Sequence, residues 1–257
     1  MKYLESLRNK TIKDTIALST KKERDKTGLF VLEGERLVSE IDDPDLIEYI
    51  IVSESYDGEI PNIKNAYLVS DELFAHLSDT VHPQGILAVC QKLKYNIDTA
   101  FLSRNPLFVI LENLQDPGNL GTIIRTADAA GADAVFLSKG TVDLYNPKVV
   151  RSTMGSLFHL PIYTGIDTAE IIYECKKHNI YTLAAHLAGV GTPYDAKLYA
   201  PSAILIGNEA SGLTPETATM ADELVRIPMP GKAESMNASV AAAILIYEAV
   251  RQRLSEV

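Results

Sequence analysis

Three stretches of this 257-residue chain set polar side chains where a plain turn or helix has no need of them. In "LQDPGNLGTIIRTADAAGA" the chain bends at Asp116-Pro117-Gly118, Asn119 is placed to cap a helix, and Gly121 lets that helix pack tightly on a strand. Those roles leave Arg125 unexplained. A guanidinium among small and apolar neighbours requires a partner or a ligand, and the helix itself offers Asp128, three residues on. The second stretch, "AILIGNEASGL", runs an apolar strand into Gly207, where another backbone or a flat ligand comes close, and presents the Glu209 carboxylate at the strand's carboxyl end. The third, "IPMPGKAESMNASVAAAILIYEA", stiffens a loop with Pro228 and Pro230, opens it at Gly231 and starts a helix that Ser235 or Asn237 can cap. One cap does not account for Ser235, Asn237 and Ser239 together, and such a loop offers backbone N–H and C=O groups to something polar and flat.

Positioning these loops takes a sheet. From residue 107, "LFVILEN", "AVFLS", "PIYT", "IYTLAAHL", "AILIGNE" and "ELVRIP" read as strands, with helices between them that include "NPKVVRSTMGSLFHL" and "AEIIYECKKHN". That alternation predicts a mostly parallel α/β sheet, which takes ligands beyond the carboxyl ends of its strands. The last helix is expected to bury Val240, Ile244, Tyr247 and Val250. The first half reads as a smaller α/β domain over residues 1–95, then an aperiodic linker over 96–106, then the larger domain over 107–257. A dinucleotide site does not fit the first loop, because Gly118 and Gly121 do not make the three-glycine fingerprint and no acidic residue ends a following strand where a ribose would be held.

The chain is 46% hydrophobic and 23% charged, enough apolar content for a packed core. No apolar run reaches the roughly 20 residues of a membrane span, and the first residues lack a signal-peptide core, so the expected address is the cytoplasm. Cys90 and Cys175 suit reduced buried thiols, and the five histidines lack ligand spacing, so no metal is expected. The net charge of -10 argues against a surface coated in positive potential, yet Arg8 to Lys26 is locally basic. Lys21, Lys22 and Arg24 there read either as a solvated helix face or as a phosphate-contacting patch.

In their order, "NxxGTIIRTADAAGA", "LIGNEASGL" and "IPMPGKAESMNASVAAAILIYE" resemble the three motifs of the SpoU (TrmH) ribose 2′-O-methyltransferases, members of the SPOUT class of RNA methyltransferases. The likeness spans roughly residues 107 to 254. The first half, with "FVLEGERLV" and "HPQGILAV", is similar to the small ribosomal-protein-like RNA-binding domain that many members carry. The resemblance implies a deep trefoil knot, S-adenosyl-L-methionine as methyl donor, RNA as substrate and a homodimer. It implies donor contacts from Leu205, Ile206, Gly207, Asn208, Glu209, Ile227, Pro228, Met229 and Met236. It places Asn119, Arg125, Glu209, Ser235 and Asn237 at catalytic and substrate-orienting positions, with Arg125 also touching RNA. Asn208 stands where some members have Ala or Pro.

Transfer of a methyl group from a sulfonium to a ribose hydroxyl is an in-line displacement whose hard part is a weak nucleophile that must be held close and relieved of charge. A free arginine stays protonated, so Arg125 suits an RNA phosphate and the developing alkoxide better than it suits a base. The resemblance favours ribosomal over transfer RNA. A non-catalytic RNA-binding protein is the rival, and it has no use for Arg125, Ser235 and Asn237 together.

Overall fold

The computed structural model describes residues 1–255; the last two residues of the expected 107–257 domain lie outside them. Two compact units result: one joins Met1–Lys94 to Asp143–Phe158, the other joins Tyr95–Val142 to the chain from His159 onward.

The first unit contains β1 (Lys2–Tyr3), α1 (Lys10–Ala17), α2 (Lys21–Thr27), β2 (Leu29–Glu33), α3 (Glu35–Ser39), β3 (Ile47–Ser53), β4 (Ala66–Val69), α4 (Asp71–Ala75) and β5 (Ile86–Gln91). Its sheet has the order β1-β4-β3-β5-β2, with β4 parallel to β1 and β3, and β5 antiparallel to β2 and β3. The basic segment folds into α1 and α2, capped by Asn9 and Thr20, whose side chains accept from Thr11 N and Glu23 N. Gly28, at φ +70°, ends α2 in the left-handed conformation.

That segment corrects one expectation. Lys21 and Lys22 are exposed, but Arg24 is 2% exposed and points inward. It donates to the carbonyls of Leu18 and Ser19 at 2.8 Å and pairs with Asp143 at 2.6 Å. Its donors are spent on the fold, so Arg24 is not a phosphate contact; a buried guanidinium is tolerated because each of these groups accepts from it.

The second unit runs β6 (Leu107–Leu111), α5 (Pro117–Ala129) and β7 (Ala134–Ser138); the next helix, α6 (Pro147–Thr153), belongs to the first unit and packs there on β2. The second unit resumes with β8 (Ile162–Ile166), α7 (Thr168–Lys177), β9 (Tyr181–Ala185), β10 (Ser202–Ile206), α8 (Pro215–Met220), β11 (Glu223–Val225) and α9 (Ala238–Ser255). Its six strands follow the order β11-β9-β10-β6-β7-β8, and every neighbouring pair is parallel. Every residue of β6, β7 and β10 is buried, as their unbroken apolar runs require. The aperiodic 96–106 stretch forms a 3-10 helix over Ile97–Leu102, whose Phe101 packs edge-on against Phe108. The helix expected through residue 160 stops at Thr153, because Met154 (φ +53°) and Gly155 (φ +100°) turn left-handed.

The last helix is rotated from its expected setting. Ala242, Leu245, Ile246, Glu248 and Ala249 are buried; Val240 and Tyr247 are 48% and 50% exposed, and Ile244 and Val250 half-buried. Small residues at Ala242 and Ala249 suit the close packing of α9 on α5. Near its end Arg253 spreads its donors over the carbonyls of Leu198, Asn105, Pro106 and Ala200 and the hydroxyl of Ser202, at 2.9 to 3.2 Å. These groups lie at the entries to β6 and β10, so Arg253 fastens the chain's end to the start of the two central strands. Arg253→Ala is expected to lower the unfolding free energy by roughly 2–3 kcal/mol, the scale of charged hydrogen bonds lost together with stranded carbonyls. Urea denaturation checks it, and Arg253→Lys, which lacks the fork, should recover less than half.

Candidate active site

β6 and β10 are parallel neighbours, so the loops that leave their carboxyl ends emerge side by side. After Ile206 the chain doubles back, with Asn208 N donating to Gly212 O at 3.0 Å and Gly212 N to Asn208 O at 2.9 Å. A Cβ on Gly207 would stand 2.2 Å from the backbone of Gly212 and Leu213, so what approaches this glycine is the loop's own backbone. Asn208 braces the turn: Oδ1 accepts from Ala210 N and Ser211 N, and Nδ2 donates to Asn113 O at 2.8 Å.

Glu209 is thereby aimed at the start of α5. Its carboxylate accepts from Gln115 N at 3.1 Å, Asp116 N at 3.0 Å and Asn119 Nδ2 at 3.1 Å. A carboxylate only accepts, so Asn119 must face it with nitrogen, which turns Asn119 Oδ1 the other way to accept from Asn237 Nδ2 at 2.9 Å. Asn237 Oδ1 then accepts from Ser239 N at 2.8 Å and caps α9. One chain of hydrogen bonds thus joins Glu209, Asn119 and Asn237, one from each of the three loops. Partial burial works against ionisation of Glu209, but the bonds from Asp116 N, Asn119 and Gln115 N outweigh it and hold the carboxyl below its ordinary value. The cap of α5 is Asp116, which accepts from Asn119 N; the Asn119 side chain is left for the chain just described.

Beside this chain lies a cavity of about 330 Å³. Ile206, Gly207, Asn208 and Glu209 line it from the second loop, and Ile227, Met229, Ser235 and Met236 from the third. Leu205 and Pro228 do not line it, and Leu205 is fully buried in β10. Ser235 faces the cavity and takes no part in capping α9. The sequence reading missed His186 and Leu187, which enter from the carboxyl end of β9, and Arg226, which follows β11. His186 Nδ1 accepts from Ala188 N at 3.1 Å, which leaves its Nε2–H as the available donor. The strand-end rule, applied to "TLAAHLAG", points to His186.

Arg125 does not line the cavity of its own chain. It is exposed on α5, and Asp128, the partner that helix spacing offers, is bonded to His159 Nδ1 at 2.8 Å instead. Among the described residues no hydrogen bond or ion pair engages the Arg125 side chain.

Because the folded-state pKa of Glu209 is depressed, the stabilisation its ionised form gives is complete above the unfolded value, near ~4.3, and is lost as pH falls through the folded one. The Tm difference between the wild type and Glu209→Gln should therefore be constant from about pH 6 to 8 and shrink below about pH 4.5. A difference unchanged at about pH 3.5 would place the stabilisation elsewhere.

The SpoU rRNA Methylase family profile matches residues 106–247, and that of the MRM3-like substrate binding domain matches residues 9–88. The chain is 39% identical over 251 residues to the 23S rRNA (guanosine(2553)-2'-O)-methyltransferase RlmP of Bacillus subtilis (strain 168), covering 96% of this chain and 98% of that one. It superposes on the crystal structure of the SpoU methyltransferase AviRb from Streptomyces viridochromogenes in complex with the cofactor AdoMet. That match has a TM-score of 0.88, 29% identity, and covers 96% of this chain and 99% of the other. An AdoMet-bound rRNA methyltransferase from Sinorhizobium meliloti gives a TM-score of 0.84 at 32% identity, with 97% of each chain covered. A cavity built from three strand-end loops, a family profile over more than half of the residues and a relative matched end to end lead to one conclusion: the chain belongs to the SpoU rRNA methylase family.

Proposed function

We propose that this protein transfers a methyl group from S-adenosyl-L-methionine to a ribose 2′-hydroxyl of ribosomal RNA. The observation that carries the reading is the Glu209–Asn119–Asn237 chain at the edge of the cavity, together with an exposed Arg125 that shares helix α5 with Asn119 and has no partner among the described residues. When bound, the donor supplies an electrophilic methyl group on a sulfonium sulfur. The cavity suits it: Ile206, Ile227, Met229 and Met236 give an apolar lining for adenine and methionine carbons. Residues 227–236 make no backbone–backbone hydrogen bond among the described residues, which leaves their N–H and C=O groups for a polar ligand.

The chain's own residues then have distinct tasks. The Glu209 chain fixes the three loops with respect to one another, so the cavity wall is set before a ligand arrives. Ser235 and Asn237 orient the RNA beside that wall. Arg125 holds an RNA phosphate and stabilises the alkoxide character of the 2′-oxygen as its O–H bond breaks, the proton passing to solvent; the new O–CH3 bond would form as the donor's S–CH3 bond breaks, with the neutral thioether leaving. Lys21 and Lys22 add phosphate contacts in the first unit. Transfer RNA as the substrate is the alternative, and the likeness to ribosomal RNA enzymes favours the reading given.

Two further readings go with it. The loop beyond β9 lies across the end of β11, where a Cβ on Gly189 would stand 2.5 Å from Val225 C and Gly191 bridges Val225; a chain that continues under such a loop into 227–237 supports the trefoil knot. Val240, Tyr247 and Leu254 leave an exposed apolar stripe on α9, packed beside the helix that carries Arg125. A homodimer through that stripe covers it and gives Arg125 a route to a cavity in a second copy. Among the described residues no helix is long and apolar enough to cross a membrane, and the cytoplasm is the proposed address.

Arg125→Ala should bind S-adenosyl-L-methionine as the wild type does in calorimetry while methylating ribosomal RNA about a hundred- to a thousandfold more slowly. Wild-type turnover by the folded variant would sink the assignment and leave the family membership intact. For the dimer, sedimentation at micromolar concentration should give twice the chain mass, and Tyr247→Asp with Val240→Asp should give the monomer.

A further inference from the structure

In the first unit the segment after β2 and the loop from Thr80 to Gly85 enclose two adjoining clefts of about 290 and 560 Å³, and Arg36 and Gln84 line both. The smaller is completed by Arg151 and Met154, which belong to the 143–158 segment. That segment lies within the stretch matched by the methylase profile and outside the one matched by the substrate-binding profile.

The polar groups left over in the smaller cleft are donors. Gln84 Oε1 accepts from Glu35 N at 3.0 Å, which fixes the amide and leaves Nε2 for a ligand. Glu33 is already engaged, accepting from the Ser78 hydroxyl, from Asp79 N at 2.9 Å and from Thr80 Oγ1 at 2.7 Å. Among the described residues nothing engages the Arg36 side chain, and His82 stands exposed beside it. Arg151 pairs with Asp79 at 2.8 Å, but both are substantially exposed, and exchange of such a partner costs little. The lining is held in place by backbone that ordinary residues resist: Gly34 at φ +104°, where a Cβ would meet Gln84 Oε1 at 2.5 Å, and Met154 at φ +53°.

We propose that this smaller cleft seats one unpaired nucleotide of the RNA substrate, with its phosphate on Arg36 and Arg151 and an acceptor edge of its base on the Gln84 amide. The inference rests on the reading of the chain as an RNA methyltransferase. Two guanidiniums and an amide N–H match the acceptors of a phosphate and a base carbonyl. The larger cleft sets two carboxylates, Glu35 and Glu59, against Arg36 alone, whereas the smaller sets Glu33 against Arg36 and Arg151, so the phosphate belongs in the smaller one. A paired base in an A-form helix keeps its edge in a deep, narrow groove, whereas a splayed base can enter a cleft and stack on a guanidinium plane. Arg36, which lines both clefts, is placed for such stacking.

The test uses the full chain and a fluorescein-labelled 12-nucleotide single-stranded RNA of mixed sequence, beside the same sequence as a duplex, in anisotropy titrations across a salt series. The single strand should bind at least about tenfold more tightly than the duplex. Arg36→Ala and Arg151→Ala should each weaken it about five- to tenfold and flatten the log–log salt slope by about 0.7, the value for one single-strand phosphate contact. Asp79→Asn should tighten it, since it frees Arg151, whereas a merely structural pair predicts no gain. S-adenosyl-L-methionine affinity should remain at the wild-type value in all three variants. Unchanged affinity and slope in both arginine variants, or a loss in Asp79→Asn equal to that in Arg151→Ala, overturns the proposal. A wild type that binds single-stranded RNA through these arginines but neither binds nor uses the methyl donor would sink the methyltransferase reading and leave the cleft standing.

Discussion

A single carboxylate sets the polarity of the whole site. Glu209 cannot donate, so the Asn119 amide must face it with nitrogen, Asn119 must then offer its oxygen to Asn237, and Asn237 is left with its own oxygen for the first N–H groups of α9. Three loops that lie as much as 118 residues apart in sequence are locked through directed bonds with no freedom to reverse. Neutral residues of the same shape could pair in either sense; the ion removes the ambiguity. The same carboxylate takes the backbone N–H groups of Gln115 and Asp116, the two residues that lead into α5.

The parallel sheet makes this convergence available. In an antiparallel arrangement successive loops leave from opposite ends, whereas here β6, β9, β10 and β11 all release their chains on one side. Burial of every residue in β6 and β10 then gives those exits a rigid base. A rigid base leaves the third loop free to expose its backbone, because it is held at both ends, by β11 and by the Asn237 cap.

Much of this was legible in the residues. Unbroken apolar runs identified the strands of the parallel sheet, and the surplus of polar side chains in "GNEASGL" and "ESMNAS" marked the loops that meet. What was not legible depended on contacts between distant positions. Asn119 reads as a helix cap until Asp116 is seen to do that work and Glu209 to claim the amide. Arg24 reads as one more cation in a basic run, since its burial depends on Asp143, 119 residues away. The apolar face of α9 was misread because the helix is apolar on nearly every side, so periodicity alone does not say which stripe meets α5. His186 was missed because a lone histidine after a strand looks ordinary until β11 pairs with β9 and brings the third loop to it.

The excursion of residues 143–158 into the first unit has a bearing on how the chain is made. A protein emerging from the ribosome tends to fold its leading domain as soon as that domain is complete. Here the leading unit lacks a wall until residue 158 has emerged, because Asp143, Val149 and Val150 come from a stretch that follows β6, α5 and β7. Until then Arg24 has lost its counter-ion and the face of β2 that α6 covers is open to solvent. The two units therefore cannot mature strictly one after the other. Nor does one cut separate them: a fragment beginning at residue 107 keeps α6 but not the strand it packs on, and presents Val150 to water as a site for aggregation.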